Sequence, residues 1–263
     1  MRVLPTLTLV QYEIITNVMS FAVASMFAGA LFFFFSRSQV APKYRPAMLI
    51  TALVPAIAFY HYLRIYASFT AAYGLKDSGY LASGVPFNDA YRYADWLLTV
   101  PLLVIELVAV LALSKSVTRS LSIKLGGAAA LMILLGYPGE IAVDSASKWL
   151  WWSLSMVPFL YIMTVLFTSF SKYYADQPES IRNLIGGAKW VILITWSFYP
   201  LAYALNTIGL PPGVGQTALQ VGYTVADITA KVGMGIYIYF IAVAKSEADG
   251  WSEDAKSLVA QPA

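Results

Sequence analysis

Asp227 and Lys231 stand four residues apart in the apolar stretch "ALQVGYTVADITAKVGMGIYIYFIAV". That spacing is about one helical turn, so a carboxylate and an amine would share a face. Mostly apolar residues flank Lys231 on both sides for about half a span each, which places it near the bilayer centre if the stretch crosses one. A neutral amine in a hydrophobic pocket is a good nucleophile toward an aldehyde and would form an imine with it. A structural Lys–Asp pair is the other reading of the same spacing.

A second stretch, "NDAYRYADWLLTVPLLVIELVAVL" at 88–111, holds Arg92, Asp95 and Glu106 in an otherwise apolar run. A charge at the centre of a bilayer costs about 2.5–3.5 kcal/mol even on lenient insertion scales. On a helix, Asp95, Thr99 and Glu106 fall within about 40° of one another, with Arg92 roughly 60° from Asp95. Asp95 and Glu106 are then about 16 Å apart along the axis, like two stations on a route. Two plainer readings exist: Arg92 and Asp95 form a packing ion pair, and Glu106 snorkels to the interface.

Taken together, the two stretches suggest more. A protonated imine on Lys231 would be a buried cation, and Asp227 and Asp95 are the anions available to it, with Arg92 balancing their charge. Glu106, drier and unpaired, would rest protonated and able to supply a proton. The intramembrane charges then form a proton relay.

These residues need spans to hold them, and the composition provides for spans. Of 263 residues, 59% are hydrophobic and 12% charged, with a mean hydropathy of +0.66. A soluble domain carries about 25% charged residues. The chain has no cysteine, which excludes disulfides, thiolate metal sites and cysteine nucleophiles. One histidine argues against a histidine-based metal site, so no metal is expected, and a net charge of +3 is too small to suggest nucleic acid.

A spanning helix needs about 20 apolar residues. Seven stretches qualify: 7–35, 46–72, 89–113, 120–142, 147–171, 181–206 and 218–244. The fourth is diluted by Gly126, Gly127, Gly136, Pro138 and Glu140, but six spans would break the charge pattern. Odd-numbered breaks hold Arg37, Lys43, Arg45, Lys115, Arg119, Lys172 and Arg182, with Lys124 and Lys189 close by; even-numbered breaks hold only Lys76 and Lys148. Lys and Arg mark the cytoplasmic side. The expected fold is an all-α membrane protein, a seven-transmembrane-helix bundle with an extracellular N-terminus and a cytoplasmic C-terminus. Residues 1–246 would form the transmembrane domain and 247–263 a cytoplasmic tail.

The first apolar run is too long for the core of a cleaved signal, although "AGA" at 28–30 imitates a cleavage site. The Gly- and Ser-rich break before the third span, ending "GVPFND", predicts a short hairpin.

The motifs now match a family. "RYADWLLTVPLLVIE", "WSFYPLAY" and "DITAKVG", in that order, resemble the microbial rhodopsins over essentially all seven spans. Asp95–Thr99–Glu106 is similar to the proteorhodopsin and xanthorhodopsin group of light-driven proton pumps, and "FNDAYRYADWLLTVPLL", "GYPGEI" and "QVGYT" bring it nearest the xanthorhodopsin-like branch.

The resemblance implies a light-driven outward proton pump, not an enzyme, with all-trans retinal bound covalently to Lys231. Asp95 would be primary counterion and proton acceptor, Asp227 the second counterion and Glu106 the cytoplasmic donor. Thr99 would bond Asp95 or pocket water, and His61 in "YHYLRIY" would pair with Asp95 and tune it. Trp96 and Trp196 would sandwich the polyene, while Tyr199 bonds near Asp227. Tyr93, Leu103, Met132, Gly136 and Trp152 would line the wall, together with Ser155, Phe159, Pro200 and Tyr203. Leu103 stands where green-absorbing members carry leucine. The implied partners are protons, the lipid bilayer of a prokaryotic plasma membrane, and further copies of the chain in a homo-oligomer, a trimer or a pentamer.

Two departures matter. Antenna-binding xanthorhodopsins have glycine where this chain has Trp152, so no carotenoid antenna is expected. The stretch "NTIGLPPGVGQTALQ" lacks the carboxylates through which bacteriorhodopsin releases its proton. Release would run near Arg92, with Glu13, Asp77, Asp89, Glu140 and Asp144 as candidates. The competing readings are a photosensor signalling to a membrane partner, a pump or channel for another ion, and a retinal-free seven-helix receptor or transporter.

Overall fold

The computed structural model describes residues 4–205 and 210–251. The chain enters through β1 (Leu7–Thr8) and passes straight into α1 (Leu9–Ser36). Thr8 and Gln11 form a capping box there: Gln11 N donates to Thr8 Oγ1 at 3.2 Å, and Thr8 N donates to Gln11 Oε1 at 2.9 Å. Two amides that helix geometry leaves unpaired are thereby satisfied. The helix α2 (Arg45–Ala72) returns and leads to β2 (Tyr73–Lys76) and β3 (Gly79–Ala82). Then come α3 (Ala90–Val110), α4 (Lys115–Ile141), α5 (Ser145–Thr164) and α6 (Glu179–Leu205). The last span is α7 (Pro212–Ile228) and α8 (Met234–Ala248), joined without a break by a π-helical turn, Thr229–Gly233.

Among the described residues, seven helical segments are long and apolar enough to cross a membrane. Helices α1 to α5 pack in chain order, α6 packs against α7 and α8, and α1 closes the bundle against α7. Short connections force this antiparallel arrangement of neighbours.

The expected hairpin forms, and it acquires a third strand. Lys76 pairs with Gly79 across a two-residue turn, and β1 joins the outer edge of β3 through Leu7 and Tyr80. Asp77 at the tip takes φ +52°, a left-handed conformation that Asp tolerates. The ring of Tyr12 stacks on Tyr80 at 3.5 Å and anchors the sheet to α1. This sheet end of the bundle lies opposite the end that carries the chain's last described residues, here termed the tail end.

Two boundaries differ from expectation. The helix α4 starts at Lys115 rather than near 120, because Lys115 and Arg119 ride on helical turns rather than in a loop. The seventh span starts at Pro212 rather than near 218, since proline suits the first turn of a helix, where its missing N–H is not needed. That span has 37 residues. At about 1.5 Å per residue it is longer than a hydrocarbon core of about 30 Å. Its last turns therefore reach the polar zone, where Ser246 Oγ accepts from Ala41 N at 2.9 Å and Lys43 pairs with Asp249 at 2.8 Å. Residue 206, the last of the sixth expected span, residues 207–209 in the break after it, and 252–263, in the expected tail, lie outside the described residues.

Candidate functional site

Two helical faces meet in the middle of the bundle. From α3 come Arg92, Asp95, Thr99, Leu103 and Glu106, all buried. From the last span come Gln220, Thr224, Asp227 and Lys231, likewise buried. Their spacing of 4, 3 and 4 keeps them within about 60° on one stripe. Lys231 sits inside the π-helical turn. Such single π turns loosen the regular backbone ladder and are frequent at functional sites.

Lys231 Nζ lies 2.6 Å from Asp227 Oδ1 and 3.0 Å from Asp95 Oδ2, so one amine bridges two helices. The two carboxylates are not equivalent. Asp227 Oδ1 accepts from Lys231, from Tyr199 OH at 2.7 Å and from Trp96 Nε1 at 3.0 Å. Its Oδ2 accepts from Tyr62 OH at 2.6 Å, with Arg92 Nη1 3.7 Å away. Asp95 is also buried, yet neither of its oxygens makes an aligned hydrogen bond. Asp95 has the ion-pair contact to Lys231, and His61 Nδ1 at 3.8 Å.

Three implied contacts differ in detail. His61 comes beside Asp95 but does not hydrogen-bond to it; its Nδ1 lies 3.0 Å from the Ile57 carbonyl, one turn back on α2. Thr99 donates to the main-chain oxygen of Asp95 at 2.9 Å, not to its carboxylate. Arg92 does not pair with Asp95. It donates to Tyr62 OH at 3.1 Å and to Gln220 Oε1 at 2.7 Å, and so faces the Asp227 side. In each case a backbone carbonyl or a phenol within reach captures the donor.

Glu106 is 1% exposed, on the tail-end side of Lys231, and neither of its carboxyl oxygens has an aligned partner. Thr51 lies beside it, its hydroxyl given to Ala47 O at 3.0 Å. An ionised carboxylate in such a place carries a heavy desolvation cost unless it is paired.

A mostly apolar cavity opens beside Lys231. Tyr93, Trp96 and Leu103 line it from α3, Met132 and Gly136 from α4. From α5 come Trp152, Ser155 and Phe159, and from α6 Trp196, Tyr199, Pro200 and Tyr203. Flat aromatic walls with a buried primary amine at hand fit a long conjugated aldehyde-derived ligand such as retinal. Trp152 Nε1 donates to Pro200 O at 3.2 Å, so its indole ties α5 to α6 across the wall.

The sequence reading missed Tyr62, Gln220, Tyr223, Val100, Ile133, Met156 and Ala230. Gln220 was within reach of it, since it lies seven residues before Asp227 on the same stripe. Tyr62 was not, because nothing in "YHYLRIY" says which tyrosine faces inward.

A family model described as bacteriorhodopsin-like protein matches residues 13–245. The chain belongs to this family. Among solved relatives, it is 49% identical to xanthorhodopsin, described as a light-driven ion pump with dual chromophore, over 95% of this chain and 100% of that one, with a TM-score of 0.91. Thermophilic rhodopsin is 44% identical over 94% and 99% of the two chains, also with a TM-score of 0.91. The blue-light absorbing proteorhodopsin of Gamma-proteobacterium Hot 75m4 is 30% identical over 85% of this chain and 84% of its own. This microbial rhodopsin is thus a multi-pass cell-membrane protein of the retinal-binding class.

Proposed function

We propose that this rhodopsin is a light-driven outward proton pump carrying all-trans retinal on Lys231 Nζ. Bound there as a protonated Schiff base, retinal supplies a light-triggered change in the proton affinity and direction of that nitrogen. The residues of the chain do the rest.

The observation that carries the reading is the unequal treatment of the two carboxylates. Asp227 is saturated by Trp96, Tyr199, Tyr62 and Lys231, with Arg92 nearby, and each donor stabilises its ionised form. It therefore acts as a fixed anion. Asp95 faces Lys231 Nζ at 3.0 Å with no phenol or indole donating to it among the described residues, so its ionised form is held by fewer protein groups than that of Asp227. Asp95 takes the proton from Lys231 Nζ. Glu106, dry and neutral, returns one from the other side.

Direction follows from where the cations lie. Arg37, Lys43, Arg45, Lys115, Arg119, Lys172 and Arg182 cluster toward the tail end, which is thereby cytoplasmic, as is the chain from 247 onward. Asp95 is then on the extracellular side of Lys231 and Glu106 on the cytoplasmic side. A photosensor has no evident use for a carboxylic acid at Glu106, and this favours transport. The test is illumination of expressing cells in unbuffered medium: the medium should acidify, and a protonophore should abolish the signal. Alkalinisation, or no change, would refute an outward pump.

A further inference from the structure

Gln220 lies on α7, about two turns to the sheet-end side of Asp227, and is 1% exposed. Its Oε1 accepts from Arg92 Nη2 at 2.7 Å, across the gap to α3. A guanidinium only donates, so the amide oxygen must face it and the NH2 must point elsewhere. That NH2 has no hydrogen-bond partner among the described residues, and neither has Arg92 Nε. A buried glutamine serving packing alone would normally have both ends of its amide satisfied. This one is oriented for Arg92.

Arg92 has three carboxylates within its compass. Asp227 Oδ2 lies 3.7 Å from Nη1 across the bundle. Asp89 and Asp95 stand three residues to either side of it along α3, a spacing at which side chains on one helix can meet. Asp89 acts on the guanidinium electrostatically. The phenol rings of Tyr62 and Tyr223 each lie 5.6 Å from its central carbon. Two aligned hydrogen bonds aim it, one to Tyr62 on α2 and one to Gln220 on α7. With Tyr62 alone the guanidinium could pivot about Nη1; the second bond, from another helix, fixes its plane.

The acceptor is also neutral. Two buried cations, Arg92 and Lys231, here meet two buried anions, Asp95 and Asp227. A glutamate at 220 would add a third anion and take up the charge of Arg92, whereas an amide oxygen directs that charge and leaves it for Asp227.

We propose that Gln220 is a positioning residue for proton transfer: it holds the Arg92 charge beside Asp227 and off Asp95, so that Asp95 answers to Lys231 and His61. The inference rests on retinal at Lys231 and on Asp95 as acceptor. Without Gln220, Arg92 redistributes along α3 between Asp89 and Asp95, and the proton affinity of Asp95 changes with it.

The test is the pH titration of visible absorption in retinal-loaded protein. Gln220→Met, apolar and of similar size, should move the midpoint by about one unit, the low end of what an opposite charge does at close range. Gln220→Ala should do the same. In an Arg92→Gln background, replacing Gln220 should add no shift, because no guanidinium is left to aim. An unmoved midpoint in the single variants, or a full shift in the Arg92→Gln background, would overturn the proposal. Loss of pigment in both single variants would assign Gln220 to folding and overturn it equally. Asp95→Asn separates the two layers of the argument. A titration that survives this substitution would sink the acceptor reading and this proposal with it. One that vanishes there, yet is unmoved in Gln220→Met, would sink the role of Gln220 alone.

Discussion

Asp95 and Asp227 flank the same amine, yet Asp227 accepts four hydrogen bonds and Asp95 accepts no aligned one. Two identical side chains are thereby made unequal by their neighbours. Asp95→Asn should remove the proton acceptor, shift the visible absorption and abolish light-driven pH change. A variant that still pumps at wild-type rate would exclude Asp95 from the acceptor role.

Glu106 has a different task. Glu106→Gln should leave pigment formation intact and slow return of the proton to Lys231 Nζ by about 10²-fold, the usual worth of a positioned acid. Flash photolysis measures this, and azide should restore the rate. Unaltered kinetics would exclude Glu106 as donor.

Tyr62 links the fixed anion to Arg92, accepting from the guanidinium and donating to Asp227. Tyr62→Phe leaves a buried carboxylate oxygen short of a donor, at a cost of about 1–3 kcal/mol. The expected results are lower thermal stability and a shifted absorption maximum with a changed pH titration. A spectrum that titrates as wild type would show that Asp227 does not depend on this phenol.

Trp152 fills the wall between α5 and α6. Added hydroxylated carotenoid should therefore give no energy transfer to retinal, read from the fluorescence excitation spectrum. Transfer in the wild type would refute the closed wall.

Asp144 caps α5, accepting from Ser147 N at 2.7 Å. That backbone hydrogen bond holds the Asp144 carboxyl below the usual carboxylate range. A depressed value means that the cap's contribution is present above the unfolded-state value and lost as pH falls through the lower folded one. Acidification should thus unmask the Ser147 amide to hydrogen exchange, beyond the intrinsic pH effect. In Asp144→Asn, which can still cap, this extra acid sensitivity should vanish.

Much of this molecule was legible along the chain. Seven apolar runs of spanning length specify the bundle, because in lipid a backbone must satisfy its own hydrogen bonds. Helical period alone put Asp227 with Lys231, and Asp95 with Thr99 and Glu106, each set on one face. The third strand was not legible: a two-residue strand carries no periodic signal, and its pairing depends on Tyr12 finding Tyr80.

What tertiary structure alone decided is which neighbour each polar group meets. Sequence supplied two aspartates near one lysine, but not that Tyr62, Trp96 and Tyr199 would all turn toward Asp227. Nor did it show that the Ile57 carbonyl would engage His61, or that Gln220 would engage Arg92. Periodicity fixes the face a residue occupies on its own helix. The partner across the gap depends on how helices rotate and settle against one another, and no single helix encodes that.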